Sequence, residues 1–274
     1  MQTIFTKLFS RTSAYLQVIT SGALIFSFLP ASFLSTPLQI LSPAKGDALK
    51  TLSIPAANPL SLVDEFFGAG FSAKVSQPII DKQIDLVSTR GAFPASLAVI
   101  KKHEVEIRAE ADKQGVPEDV ALGVALLENG GSETAVSSAG ALGIFQLMPG
   151  TARSLGLTVN KKVDDRKNVS KSIAAGVSYL KMNYDRFGDW GLATWAYHAG
   201  EGNVGKALTL YKKSGGVGTP TIHKLLSNAS VKTMTKKLSD DSAGYPYKVI
   251  ATAALFRKSK TGSASIPGTV ADNF

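Results

Sequence analysis

From residue 96 onward, apolar side chains recur every three or four positions, which is the spacing of one face of an α-helix. The clearest segment opens at Pro117, because proline fits a first helical turn and the acids Glu118 and Asp119 suit its positive end, and a glycine pair at 130–131 ends it. No segment of any length alternates apolar and polar residues as a strand would. The predicted helices cover about 96–114, 117–128, 144–155 with a break at 148–149, 170–187, 192–199 and 247–257. The pattern therefore predicts a mainly α protein.

The first 35 residues have the layout of an export signal. Lys7 and Arg11 precede the apolar run 16–34, which is almost long enough to span a bilayer. No clear cleavage site follows this run, so a cleaved signal, an uncleaved anchor and a buried apolar segment all stay open. Residues 36–95 are punctuated by Pro, Gly and Ser and predict a weakly structured linker. We therefore expect an exported chain with one folded domain at 96–260 and a tail at 261–274.

The cysteine and histidine content limits the kinds of catalytic and metal-binding chemistry that the chain can perform. The chain has no cysteine, which excludes disulfides, thiolate metal sites, a cysteine nucleophile and a lipid-modified cysteine. His103, His198 and His223 lack the spacing of metal ligands, so neither a metal nor another cofactor is expected.

The net charge of +9 favours an acidic partner, and many of the lysines lie late in the chain. Three explanations stay open: a solvated face that keeps the protein soluble, attraction to an acidic polysaccharide, and nucleic acid. No nucleic-acid-binding motif accompanies the charge, so we expect no nucleic-acid partner.

Glu128 is the candidate for acid chemistry. It shares a predicted helix face with the small apolar residues Ala121, Val124 and Ala125, because positions i, i+3, i+4 and i+7 lie together. Apolar surroundings disfavour a charged carboxylate and raise its pKa, as a general acid at neutral pH requires. On these features alone, a surface or capping role is the more common explanation of such a residue.

The sequence around Glu128 favours a catalytic role over a surface or capping role. Glu128 is followed nine residues later by Ser137, small residues and glycine, and then by Gln146 and Pro149. A second block at 192–204 contains Tyr197, and a weaker third block at 241–249 contains Tyr245. Over about 96–254 these blocks resemble the soluble lytic transglycosylase family, which has a lysozyme-like fold and acts on peptidoglycan.

The resemblance implies one lysozyme-like catalytic domain that cleaves the bond between N-acetylmuramic acid and N-acetylglucosamine without water. Glu128 would be the single general acid and base, and the product would end in 1,6-anhydro-muramic acid. The partner would be peptidoglycan glycan strands in the periplasm or cell envelope, with membrane contact only through the N-terminal segment. The substrate-binding residues implied in this way, each of which can instead be structural, are Ser137, Gln146, Met148, Tyr197, His198, Asp241 and Tyr245.

The chain departs from the family pattern beside the acid. Asn129 stands where serine is usual, Gly131 and Glu133 replace an aromatic residue and a proline, and His198 replaces an asparagine. These changes alter the rim of the expected cleft and leave the acid in place.

Two other functions stay open. A lysozyme-type hydrolase on the same fold would need a second carboxylate, for which the candidates are Glu133, Asp164, Asp165 and Asp189. A non-catalytic wall-binding component of an envelope-spanning secretion or conjugation machine would need no acid. Such a machine is also a candidate partner of an active enzyme.

Overall fold

A computed structural model describes residues 73–238 and 242–260, which all fall in one compact unit. This part of the chain is mainly α-helical, as the sequence predicts, and its β-structure consists of three isolated bridges. Short 3₁₀ turns lie at Asp165–Lys167 and Ser242–Gly244. The helices are α1 (Ala73–Ser88), α2 (Phe93–Lys102), α3 (Glu104–Gln114), α4 (Glu118–Glu128), α5 (Pro149–Ser154), α6 (Val169–Phe187), α7 (Trp190–Ala199), α8 (Glu201–Lys213), α9 (Ile222–Ser227), α10 (Ala229–Thr235) and α11 (Tyr245–Lys260).

Helix α4 lies at the centre of the core. All of its residues from Asp119 to Leu126 are buried, and its main neighbour is α11. The two helices cross closely at Gly123, which has no side chain. A Cβ at this position would lie 2.6 Å from the carbonyl oxygen of Val249. A side chain such as Leu122 contributes about 1.5–3 kcal/mol on full burial. The end of α4, which carries Glu128, is therefore held by the most buried helix of the domain.

The prediction that residues 36–95 form a weakly structured linker was wrong for their last part. Helix α1 occupies Ala73–Ser88 and packs on α11. Its buried residues Ile80 and Val87 are seven positions apart, which places them on one helix face. Pro78 was interpreted as a loop signal, yet the helix continues through it, since the burial of this face offsets the hydrogen bond that proline lacks.

Several helix boundaries also differ from the prediction. The single helix expected over 96–114 is two helices, which meet at His103 with φ −105° and ψ 10°. Residues 144–146 form a turn, Leu147 is in an isolated bridge, and only Pro149–Ser154 of the expected 144–155 segment is helical. Helices α8, α9 and α10 were not predicted. The predicted helices over 117–128, 170–187, 192–199 and 247–257 are confirmed to within three residues at each end.

The predicted export segment and the tail at 261–274 lie outside the described residues. Within the described ranges, no helix combines the length and the apolar character that crossing a membrane requires.

Candidate active site

Glu128 is the last residue of α4, and its carboxyl group is enclosed by protein although the residue keeps partial exposure. Its Oε1 accepts a 2.6 Å hydrogen bond from the hydroxyl of Tyr245, the first residue of α11. Tyr245 itself is buried, with 3% of its surface exposed. Helices α4 and α11 thus bring a carboxyl and a phenol together inside the domain.

Burial raises the pKa of Glu128 above its ordinary value. Three weaker effects favour the carboxylate and oppose this rise: the hydrogen bond from Tyr245 and the charges of His198 and Arg90. Burial and the nearby Glu128 charge hold the pKa of Tyr245 well above its usual range, so the phenol keeps its proton. The arrangement can hold a proton on Glu128 at a higher pH than an exposed glutamate could.

The turn after Glu128 is fixed by Asn129. Its backbone oxygen accepts a buried 2.6 Å hydrogen bond from the hydroxyl of Ser96 on α2. Its side chain accepts from the N–H of Gly131 at 2.8 Å and donates to the oxygen of Ser132 at 3.1 Å. The asparagine that departs from the family pattern therefore has a structural role: it closes the turn behind the candidate acid.

A cleft of about 230 Å³ lies between α7 and the loop that precedes α5. Four of the predicted site residues line it, together with Tyr179, which was not predicted as a site residue. The ring of Tyr179 contacts that of Tyr197 at 5.0 Å between centroids, and Met148 is 43% exposed. The four predicted residues are Gln146, Met148, Tyr197 and His198.

His198 connects this cleft to the candidate acid. Its ring stacks on that of Tyr245, with 4.4 Å between centroids and 11° between planes. Tyr245 in turn contacts Glu128, so the three side chains form a continuous row. The structure thereby brings Glu128, Tyr245, His198 and Tyr197 into one region.

Gln146 and Ser137 hold the loop that faces the cleft. The Gln146 amide donates to the oxygens of Ala135 at 2.8 Å and Gly143 at 3.0 Å, and its φ of 46° is unusual for a residue other than glycine. The Ser137 hydroxyl accepts the N–H of Ala141 at 2.9 Å. Gln146 also lines the cleft, whereas the described contact of the Ser137 side chain stays within the loop.

Arg166 supports the same loop from behind. Its guanidinium is buried and donates to the oxygens of Gly140 and Leu147, each at 2.8 Å. It also pairs with Asp164 at 2.7 Å. This buried arginine is a rigid support, because moving its guanidinium would take four buried or partly buried donors away from their acceptors.

Asp241 lies outside the described residues. Sequence reasoning did not predict Tyr179, Ser96 or Arg166 as site residues. Tyr179 stands one turn from other buried residues of an amphipathic helix, which is the pattern of a core residue. Ser96 and Arg166 act through backbone oxygens, and no sequence pattern marks such partners.

The four carboxylates that a hydrolase could use each have a structural partner. Hydrogen bonds with Lys102 and His103 lower the pKa of Glu133 to about 2, and burial raises the pKa of Asp189 to about 6. The partners are Lys102 and His103 for Glu133, Arg166 for Asp164, Lys171 for Asp165 and the backbone N–H of Leu192 for Asp189. Each carboxylate thus has a local role in the fold.

Residues 106–216 match the family described as "Transglycosylase SLT domain". The matched segment begins within α3, ends just after α8 and contains Glu128, Gln146 and Tyr197.

Two curated relatives show the same likeness in sequence. The chain is 28% identical over 177 residues to "Membrane-bound lytic murein transglycosylase D" of Escherichia coli (strain K12), which covers 61% of this chain and 36% of that protein. It is 40% identical over 78 residues to the "Transglycosylase" of Enterobacteria phage PRD1, which covers 28% of this chain and 27% of that protein. The chain thus spans little more than a third of the length of the first of these relatives and about a quarter of the second.

Among solved structures, the chain is similar to an inactive mutant of the lytic transglycosylase Slt from Pseudomonas aeruginosa. The TM-score is 0.46 at 22% identity, over 60% of this chain and 25% of that one.

Proposed function

We propose that this chain is a lytic transglycosylase that cleaves the glycan strands of peptidoglycan, with Glu128 as its only general acid and base. The observation that carries the proposal is the enclosed carboxyl of Glu128 with a raised pKa, at the end of a buried helix and joined to the cleft through Tyr245 and His198. The names of the curated relatives support the choice of substrate and reaction.

In the first step, Glu128 gives its proton to the oxygen that bridges N-acetylmuramic acid and N-acetylglucosamine. The bond from that oxygen to C1 of the muramic sugar breaks, and the sugar's own 2-acetamido group stabilises the cationic carbon. The hydroxyl of Tyr245 stabilises the carboxylate that Glu128 has become, because it donates to Oε1.

In the second step, Glu128 takes the proton of the C6 hydroxyl of the same muramic sugar. The freed oxygen attacks C1 and closes a 1,6-anhydro ring, so Glu128 regains its proton and no water is consumed. The C6 hydroxyl has a high effective concentration, since it belongs to the reacting sugar. A second carboxylate is therefore not needed.

The structural partners of Glu133, Asp164, Asp165 and Asp189 support this single-acid mechanism over a hydrolase. We further propose that Gln146, Met148, Tyr197 and His198 contact the sugars, and that Ser137 shapes the loop beside them. Asp241 remains a proposed substrate-side residue.

We propose a location in the periplasm or cell envelope, supported by the apolar run at 16–34 and by a relative that is named membrane-bound. The catalytic domain is proposed to extend from the start of α1 to the end of α11. An envelope-spanning secretion or conjugation machine is a proposed partner; crosslinking followed by purification without any envelope complex would exclude it.

The test is mass spectrometry of muropeptides released from purified peptidoglycan by the full chain, beside a Glu128→Gln variant. Products that end in 1,6-anhydro-muramic acid, lost in the variant, are expected. Reducing-end products would instead identify a hydrolase. Absence of any release by a folded wild-type chain would favour a non-catalytic wall-binding protein.

A further inference from the structure

One lobe of the domain is strongly basic. Residues 202–238, which we call the lysine lobe, cover most of α8 and all of α9 and α10, and they contain no aspartate or glutamate. The preceding Glu201 is paired with Arg186 at 2.8 Å, so its charge is already compensated. The lobe has seven lysines, all exposed: Lys206, Lys212, Lys213, Lys224, Lys232, Lys236 and Lys237.

These lysines differ from many others in the described part of the chain. Within the described ranges, none of the seven has a carboxylate partner, whereas five lysines elsewhere are in salt bridges. Those five are Lys102, Lys113, Lys171, Lys181 and Lys260. The lobe therefore combines seven lysines that lack a carboxylate partner with no acid of its own, and the charge of Lys232 helps to lower the pKa of His223 there, after the larger effect of burial.

The lobe is a packed unit that holds the charges on a fixed surface. Val204 and Tyr211 of α8 are buried, and the Asn228 amide donates to the Ser214 hydroxyl at 2.8 Å, which ties α8 to the start of α10. Lys206 and Lys213 are seven residues apart and lie on the side of α8 opposite its buried residues. Their charges therefore point outward from the domain.

The lobe also adjoins the cleft. Ala199 and Gly200 line the cleft, and α8 begins at the next residue. A polymer that leaves the cleft past the end of α7 therefore meets α8 directly.

We propose that the lysine lobe is a second binding surface, which holds the carboxylate-bearing peptide stems of the polymer whose sugars enter the cleft. The identity of that polymer rests on the proposed function. Lysine suits irregularly placed carboxylates, because each ammonium is a flexible point charge. Charge contacts outside the cleft would keep the enzyme on its insoluble substrate between cleavage events.

The composition of the lobe argues against single-stranded nucleic acid and against membranes. Residues 202–238 contain no arginine, tryptophan or phenylalanine, and the only tyrosine, Tyr211, is buried. Proteins that bind single-stranded nucleic acid stack bases on aromatic side chains. Amphipathic helices that lie on membranes insert aromatic or leucine side chains, whereas the five leucines of the lobe are buried or half-buried in the domain.

The test measures binding without cleavage. The full chain carrying Glu128→Gln is sedimented with purified peptidoglycan at increasing salt. Replacing Lys206, Lys213, Lys232 and Lys236 together by glutamine is expected to weaken binding about fivefold at low salt, as four exposed charge contacts would. It should also reduce the salt dependence, since exposed charges are screened.

A matched control removes the same number of charges elsewhere. Replacing the exposed Lys82, Lys161, Lys162 and Lys167 by glutamine should change binding by less than about twofold. Amidation of the peptidoglycan carboxylates should weaken binding of the chain that keeps its lobe lysines. The loss should equal the loss that the lobe variant shows on native peptidoglycan.

Equal losses in the two lysine variants, or no loss on amidated polymer, would overturn the proposal. Tighter binding to anionic vesicles or to DNA than to peptidoglycan would overturn it as well. The binding assay uses the Glu128→Gln chain, so its result is independent of the muropeptide assay. If binding depends on the lobe but the wild type releases no muropeptides, the proposed catalysis is refuted and the proposed binding surface is not.

Discussion

Tyr245 donates a 2.6 Å hydrogen bond to Glu128 from a position 117 residues further along the chain. Two effects therefore act on the same carboxyl: burial raises its pKa, and this hydrogen bond lowers it by favouring the charged form. Burial is the larger effect. In the proposed mechanism, Glu128 begins each cycle as an acid, so activity should fall as the pH rises through the raised pKa.

Removing the hydroxyl of Tyr245 should extend the activity to higher pH. In Tyr245→Phe the carboxylate loses a donor, so the pKa of Glu128 rises further and the alkaline limb of the pH–rate profile moves up. The maximal rate should fall, because the variant stabilises the carboxylate less after proton transfer. Initial rates of release of dye-labelled peptidoglycan fragments between pH 4 and about 9 would measure both effects.

Tyr247→Phe is the control for this variant. It removes a phenol from the same helix, but this hydroxyl pairs with Nδ1 of His223 at 3.0 Å instead of Glu128. The profile should keep its shape in this control. A Tyr245→Phe profile that shifts to lower pH, or does not shift at all, would contradict the role of the hydrogen bond.

Glu133→Gln should leave the reaction nearly unchanged. Oε1 of Glu133 lies 2.6 Å from Nζ of Lys102 and 2.7 Å from Nε2 of His103. The single-acid mechanism does not use Glu133. We expect a rate within about twofold of wild type and unaltered 1,6-anhydro products. A loss of activity comparable to that of Glu128→Gln would instead make Glu133 the second carboxylate of a hydrolase.

Asp189 should make the fold more stable in acid than at neutral pH. Its pKa is raised from 3.8 to about 6, mainly by burial, so the folded state holds the proton more tightly than the unfolded state. The stabilising contribution is full below about pH 3.8 and is lost as the pH rises through about 6.

Asp189→Asn should remove this dependence. Asparagine keeps an oxygen to accept the N–H of Leu192 and carries no charge, so the variant should be about 1 kcal/mol more stable than wild type at pH 7. Urea unfolding at pH 4 and pH 7 would measure the difference, with Asp112→Asn at an exposed position as the control. A variant that is less stable at pH 7 would mean that the charged form is the favoured one.

Gly176→Ala should destabilise the domain and impair the cleft. A Cβ at position 176 would overlap the ring of Phe145, whose neighbour Gln146 lines the cleft. We expect a loss of about 1–3 kcal/mol in the free energy of unfolding. Gly205→Ala, also inside a helix but facing open space, should gain about 0.5–1 kcal/mol. Equal effects in the two variants would show that helix propensity alone decides them.

The helix that carries Glu128 could be predicted from the sequence alone. Proline and acids at its start and glycines after its end are local signals, and the structure places α4 one residue from the predicted start. The helical class of the fold followed from similar local patterns. The roles proposed for Glu128 and the other site residues depended on the resemblance of motifs, because single side chains at helix ends are common.

The remaining features depend on contacts between distant parts of the chain. The stacking of His198 on Tyr245 and the bond from Ser96 to Asn129 join residues that no local pattern relates. Helix α1 was missed because Pro78 resembles a loop signal, and its helical state becomes favourable only when α11 covers Ile80 and Val87. The sequence did not predict the break between α2 and α3 at His103, because the apolar spacing continues through it.

Phe145 determines how much the cleft can adapt. Its carbonyl oxygen accepts the hydroxyl of Tyr197 at 2.5 Å, and its ring fills the space that Gly176 leaves open. The two walls of the cleft are thereby linked through one aromatic residue, so its width is set before any ligand arrives. If the proposed function holds, most of the conformational adjustment on binding comes from the glycan strand, whose flexible linkages lose entropy when they are ordered, while the protein loses little.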